Sequence, residues 1–223
     1  MKYLLHQECG RDELAVRGDE YKYIVKARRH GIGDLIAFRS RERLDEECLY
    51  RLERLDGKQA FFRLENRKSS PARPIRFFHI GWCLVDPKSI EKVLPMLCEL
   101  GVGKITFIHC RRSQKNFRLD YERLERIMES SLMQSGRSVA VTFEESPGLS
   151  AFLQSYPDSA VFDFNGEVLG KDEVFENVVI GCEGGFDEME RKMFDTHPCR
   201  KFSSPIVLRS ETAVVAVAGI MLS

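Results

Sequence analysis

Val179-Ile180-Gly181-Cys182-Glu183-Gly184-Gly185-Phe186-Asp187, followed by Ile206-Val207-Leu208-Arg209-Ser210-Glu211-Thr212-Ala213, sets two turns beside apolar segments near one end of a 223-residue chain. Three glycines after a β-branched run let the backbone curve tightly and approach a ligand that side chains would hold off. The second turn ends in an Arg-x-Glu-Thr step, and the apolar residues 213–222 continue from it as a helix. Two such turns can build one small-molecule pocket. The glycines lack the GxGxxG spacing of a dinucleotide fingerprint and the Lys-Ser or Lys-Thr of a P-loop, which disfavours NAD or a nucleoside triphosphate. Read structurally, they serve a tight turn before a helix capped by Asp187, with Glu188 and Glu190 suited to its positive end. Arg209 and Glu211 have an equally plain role as an ion pair at the start of the last helix.

Outward from these turns, helix and strand periods alternate. Residues 75–84 read as an apolar strand and 88–100 as a helix with Ile90, Val93, Leu94, Leu97 and Leu100 on one face and Gly101 as its C-cap. Then follow strand 104–109, helix 120–134 with Asp120 as N-cap, strand 139–143, short helix 149–155, strands 160–164 and 178–180, helix 187–194, strand 200–202 and helix 211–222. Such alternation predicts an α/β domain with a largely parallel sheet. Residues before about 65 differ, reading as short strands at 2–5, 21–25, 35–38, 47–55 and 59–64, with turns at Gly18-Asp19, Gly31 to Asp34 and Asp56-Gly57. They predict a small barrel over 1–70. A connector containing Pro71 and Pro74 separates it from an α/β domain over 74–223.

Hydrophobic residues make up 43% of the chain, enough for a substantial core without staples. The cysteines at 9, 48, 83, 98, 110, 182 and 199 form no CxxC pair and no zinc signature. They read as reduced and mostly buried, as in a cytosolic protein, and no metal is expected. Acids and His6 interrupt the first residues where a signal peptide needs an apolar run, and 212–222 is too short to span a bilayer, so neither export nor membrane insertion is expected. Net charge is zero, split as +3 over 1–72 and −3 over 73–223. Within 104–118, however, Lys104, Arg111, Arg112, Lys115 and Arg118 stand with no acid, a positive field suited to a phosphate backbone or simply a solvated loop.

Together these motifs resemble the bacterial 16S ribosomal RNA uracil N3-methyltransferases, whose patterns are Gly-Pro-Glu-Gly-Gly-Phe and Leu-Gly-x-x-Ile-Leu-Arg-x-Glu-Thr-Ala. Arg29-His30-Gly31-Ile32-Gly33-Asp34, Glu99-Leu100-Gly101-Val102, Arg111-Arg112-Ser113 and Gln134-Ser135-Gly136-Arg137 fall in the family's order, so the resemblance covers nearly the whole chain. It implies a PUA-like β-barrel that binds RNA, followed by a SPOUT-type α/β domain with a deep trefoil knot that alternation alone does not reveal. It also implies a cytoplasmic homodimer that takes S-adenosyl-L-methionine as cofactor. The implied substrate is 16S ribosomal RNA in the 30S subunit, at one decoding-region uridine.

By that resemblance, Gly181, Cys182, Glu183, Gly184, Gly185, Ser203, Ser204, Ile206 and Leu208 hold the cofactor. Arg28, Arg29, His30, Arg112, Arg137 and Arg209 meet RNA, and Arg209 and Glu183 stand nearest the chemistry. The uracil N3–H is only weakly acidic, so the protein must align N3 with an activated methyl group and favour the developing anion, for which guanidinium offers a rigid fork of donors. Cys182 takes the family's proline position, Ser203 and Ser204 its Leu-Gly, Arg111 its glutamate, and Met96 and Ser130 a lysine and a glutamate. Ser204 matters if its position demands a positive φ. A noncatalytic RNA-binding or assembly factor that keeps the fold is the alternative reading.

Overall fold

The computed structural model describes residues 1–114 and 118–223. Lys115, part of the basic stretch above, lies outside the described residues. The chain divides into two compact units, Met1–Arg73 with Leu132–Val139, and Pro74–Ser131 with Ala140–Ser223.

In the first unit, β1 (Leu4–Leu5), β2 (Glu13–Arg17), β3 (Leu35–Ser40), β4 (Arg43–Asp56) and β5 (Gln59–Ser69) form, among the described residues, a five-stranded sheet ordered β1-β3-β4-β5-β2. Pairing is antiparallel except between β1 and β3, and the β4–β5 ladder shifts register at Leu49/Tyr50 and Leu52/Arg54. Such bulges bend and twist long strands, curling the sheet around its core. That core holds Val16, Ile24, Phe38, Leu52 and Phe62, with Phe38 edge-on to Tyr50 and Phe62. The Tyr50 hydroxyl donates to the Arg11 carbonyl and accepts from Gly10 N–H, and burial pushes its pKa up to about 12.

Two expectations fail here. Residues 21–25 are not a strand: Gly18–Tyr21 is a helical turn (α1) that continues as a π-helix over Lys22–Ala27. The aromatic and β-branched residues suggested β structure, but Tyr21 and Ile24, buried three apart, follow helical spacing. The strand Glu13–Arg17 was missed because only Leu14 and Val16 alternate inward.

In the second unit, β6 (His79–Cys83), β7 (Lys104–Ile108), β8 (Thr142–Ser146), β9 (Ala160–Val168), β10 (Asn177–Ile180) and β11 (Cys199–Lys201) form an all-parallel sheet ordered β11-β9-β10-β6-β7-β8. Its helices are α2 (Pro87–Leu100), α3 (Tyr121–Ser135), α4 (Leu149–Ser155), α5 (Glu188–Arg191) with a 3-10 turn over Lys192–Thr196, and α6 (Ser210–Leu222). Local signals set these ends. Asp86 accepts from Lys88 and Ser89 N–H ahead of Pro87, and Gly101 closes α2 at φ 107°. Asp120 accepts from Arg123 N–H at the head of α3. The strand expected at 139–143 starts only at Thr142, because Ser138 is tied to Ala72 and Asp45 in the first unit.

β6 is buried along its whole length. At its start His79, fully buried, engages Asn177 Oδ1 through Nδ1 and Thr106 Oγ1 through Nε2, which suits the neutral ring. Burial lowers its pKa from 6.5 to about 4. The unfolded chain therefore takes this proton first, so stability is intact above about pH 6.5 and falls as pH drops toward 4, by on the order of 3 kcal/mol. Urea denaturation of wild type and His79→Gln at pH 7 and pH 4.5 checks this. The variant is expected to lose distinctly less over that interval, and equal losses would contradict the assignment.

Cys83 and Cys110 are joined as a disulfide with Cα atoms 5.7 Å apart, correcting the expectation that all seven cysteines are free. A sequence separation of 27 hides the pair, which meets because Cys83 ends β6 beside Ile108 at the end of β7, two residues before Cys110. Cys9, Cys48, Cys182 and Cys199 stand outside this disulfide. The charge run 104–118 is also less uniform than its sequence suggests. Lys104, at the start of β7, pairs with Glu144 at 2.7 Å, while Arg111, beyond the other end of the strand, pairs with Asp187 at 3.3 Å.

Candidate cofactor and RNA site

Strand order decides where a ligand fits the second unit. From β6 the chain moves outward through β7 and β8, then returns to the other side as β9 and β10, which makes the β10/β6 boundary a topological switch point. Ligands of open α/β sheets bind at the carboxyl ends of strands at such points. The glycine turn leaves β10 there.

A cavity of about 280 Å³ opens at this place. Gly181, Cys182, Glu183 and Gly185 line one side, and Ser204, Ile206, Leu208 and Arg209 line another. Gly184 and Ser203 are not among its lining residues. Gly184 instead offers its carbonyl to Arg112 Nη1 at 2.9 Å, which brings that arginine against the turn. Gly185 has φ 63°, left-handed backbone that favours glycine, and its N–H closes the turn on the Cys182 carbonyl. Cys182 fills the proline position without strain: its thiol is buried and contacts the Gly185 carbonyl, and burial raises its pKa. Among the described residues the non-glycine residue at positive φ is Arg29, so Ser204 needs no left-handed backbone.

The turn is braced from behind. Asp187 accepts from Glu190 N–H while Glu190 accepts from Asp187 N–H, a capping box, and Arg111 N–H also donates to Glu190. The Glu190 N–H, together with the Arg111 charge, holds the Asp187 carboxyl below the usual range. Across the cavity wall, Arg191 grips Asp163 through Nε at 3.2 Å and Nη2 at 3.1 Å, which raises the Arg191 pKa further. Asp163 and the aromatic rings of Phe162 and Phe202, 5.7 Å apart, line the cavity too. None of these three was singled out from the sequence, since β9 and β11 carry no motif. Alternating aromatic residues at Phe162 and Phe164 were the only hint.

Arg209 is 84% exposed and approaches Glu211 only to 3.9 Å, leaving its donors open at the cavity mouth. Arg28 and His30 lie in the first unit, where they line a separate cavity of about 200 Å³ with Lys2 and Tyr23 and no carboxylate. Arg28 Nε donates to the Tyr23 hydroxyl, and Asp34 engages His30 Nδ1. Both side chains are thereby braced. Arg137 is buried in the first unit, where its carbonyl accepts from the Tyr3 hydroxyl. Among the described residues, no group of three His, Cys, Asp or Glu side chains could hold a metal, and no helix is long and apolar enough to cross a membrane.

Residues 72–222 match the RNA methyltransferase domain family. The ribosomal RNA small subunit methyltransferase E of Helicobacter pylori strain J99 is 33% identical over 226 residues, covering 99% of each chain. Among solved structures, a ribosomal RNA small subunit methyltransferase E from Neisseria gonorrhoeae, bound to S-adenosyl methionine, superposes with a TM-score of 0.80 at 18% identity, covering 99% of this chain and 96% of that one. A methyltransferase from Legionella pneumophila with bound cofactor SAM gives 0.78 at 19%, covering 98% and 95%. With two pocket-forming turns at the switch point of a parallel sheet and a relative one-third identical along its whole length, this chain belongs to the ribosomal RNA small subunit methyltransferase E family.

Proposed function

We infer that this chain transfers a methyl group from S-adenosylmethionine to N3 of one uridine in the decoding region of 16S ribosomal RNA. The observation that carries the reading is the cavity between the glycine turn and the loop before α6. Its contents fit the cofactor: a mostly apolar wall with Phe162, Phe202 and Leu208 for the adenine faces, backbone groups for its edge, and room for a nucleoside. When bound, the cofactor supplies an activated methyl group. The remaining work falls to the chain. Arg209 stabilises the negative charge that develops on uracil as N3 loses its proton, and Glu183, the exposed carboxylate of the glycine turn, receives that proton.

Arg112, fixed against Gly184, meets the RNA at the same edge. Arg28, Arg29 and His30 hold phosphates at the first unit, supported by a cavity lined with cations and no acid. Arg137 is better read as scaffold, given its burial. The finer fold is a PUA-like barrel ahead of a trefoil-knotted domain, a reading supported by the bulged first sheet and by Ser210 reaching back to the Gly181 carbonyl. A cytoplasmic homodimer completes the proposal. Its interface is the side of α6 that keeps Val215, Ala216 and Ile220 away from the core, consistent with a helix that is apolar nearly all round.

Equilibrium dialysis with labelled S-adenosylmethionine and filter binding of 16S ribosomal RNA separate this from the noncatalytic alternative. Micromolar cofactor binding together with RNA binding is expected, with Arg28→Glu weakening the RNA alone. RNA binding with no cofactor retained would favour the assembly factor.

A further inference from the structure

One buried contact joins the two loops that line the cavity. Trp82 on β6 donates its indole N–H to Ser210 Oγ at 2.8 Å, and the same hydroxyl donates to the Gly181 carbonyl at 2.5 Å. Trp82 is completely buried and Ser210 is 5% exposed. A single hydroxyl accepts one bond and donates one, so both bonds are satisfied at once. Gly181 opens the glycine turn, whereas Ser210 opens α6 directly after Arg209, and both residues line the cavity. Gly181 has no side chain with which to fix itself, and a Cβ there would stand 3.1 Å from Phe186. The carbonyl is therefore the handle by which the turn is held.

We propose that Ser210 is a positioning residue of this site, clasping the glycine turn to the start of α6 so that cofactor pocket and Arg209 stay in register. The proposal rests on the cofactor reading given above. Without the hydroxyl, the Gly181 carbonyl and the Trp82 indole N–H both lose a buried partner, a loss that costs more than an ordinary hydrogen bond. The walls can then separate, which weakens cofactor binding and lets Arg209 wander. A residue that merely stabilised the fold would change neither property at a temperature where the protein stays folded.

Trp82 is the chain's single tryptophan, so its indole N–H gives one NMR signal that reads the clasp directly. The test uses the whole protein as wild type, Ser210→Ala, Ser210→Thr and Val214→Ala, the last truncating a buried α6 side chain that does not line the cavity. Titration of S-adenosylmethionine by calorimetry is expected to show affinity about tenfold weaker in Ser210→Ala. Threonine should restore it to within about threefold, and Val214→Ala should lower Tm but leave affinity unchanged. Cofactor should shift the indole signal in wild type and not in Ser210→Ala. Wild-type affinity in Ser210→Ala, or an equal loss in Val214→Ala, would overturn the proposal while leaving the cofactor reading intact. A wild type that binds no cofactor would overturn both.

Discussion

Arg209→Ala is expected to lower kcat for methyl transfer by about 10²–10³-fold while leaving the melting temperature within about a degree of wild type. The two halves of this expectation come from one geometry. The side chain is 84% exposed and its nearest carboxylate is 3.9 Å away, so it contributes almost nothing to folding. Arg209 also lines the cavity, and on the proposed reading its open donors stabilise the charge on uracil as N3 loses its proton. Removing a donor aimed at charge that exists only in the transition state lowers kcat more than it raises KM. Arg209→Lys should fall between the two, keeping the charge and losing the planar fork. Steady-state kinetics on 30S subunits beside thermal melts distinguish the roles. A melting point that collapses with activity would return Arg209 to the structural ion pair.

Asp163→Ala carries the second large effect, and here stability and function fall together. The carboxylate is 2% exposed and receives two nitrogens of Arg191 and the Asn165 N–H. Its removal leaves a partly buried guanidinium and a backbone donor without their acceptor, a loss of about 2–3 kcal/mol. Arg191 belongs to α5, which begins at the end of the glycine turn, whereas Asp163 belongs to β9 on the cavity wall. Losing the pair therefore loosens the pocket as well as the fold. Combining Asp163→Ala with Arg191→Leu should recover part of the stability, since the stranded charge is gone, but not cofactor affinity. Denaturation and calorimetry on the single and double variants read these separately. Full recovery of binding in the double variant would show that the pair serves folding alone.

The turns and helix ends around this cavity are legible in the sequence because their signals are local. Three glycines after a β-branched run, Asp187 at a helix start and Gly101 at the end of α2 each act within a few residues. The residues missed are those that only the sheet brings together. Phe162 and Asp163 enter the cavity because β9 lies beside β10, and Phe202 because β11 is added outside β9. Trp82 and Ser210 are 128 residues apart, and Ser210 fills the unspecified position of the Arg-x-Glu-Thr step, which gives no hint of its partner. Cys83 and Cys110 meet for the same reason, at the ends of two neighbouring strands. In the first unit, residues 18–27 defeated a reading by residue type, since aromatic and β-branched side chains there face one side of a helical turn.

The central claim is tested most directly by incubating the protein with methyl-labelled S-adenosylmethionine and 30S subunits lacking native modification, then identifying the labelled nucleoside by mass spectrometry. The account predicts N3-methyluridine at a single decoding-region position. Label on a ribose or on another base, or no label from a protein shown to bind both cofactor and 30S subunits, would contradict it.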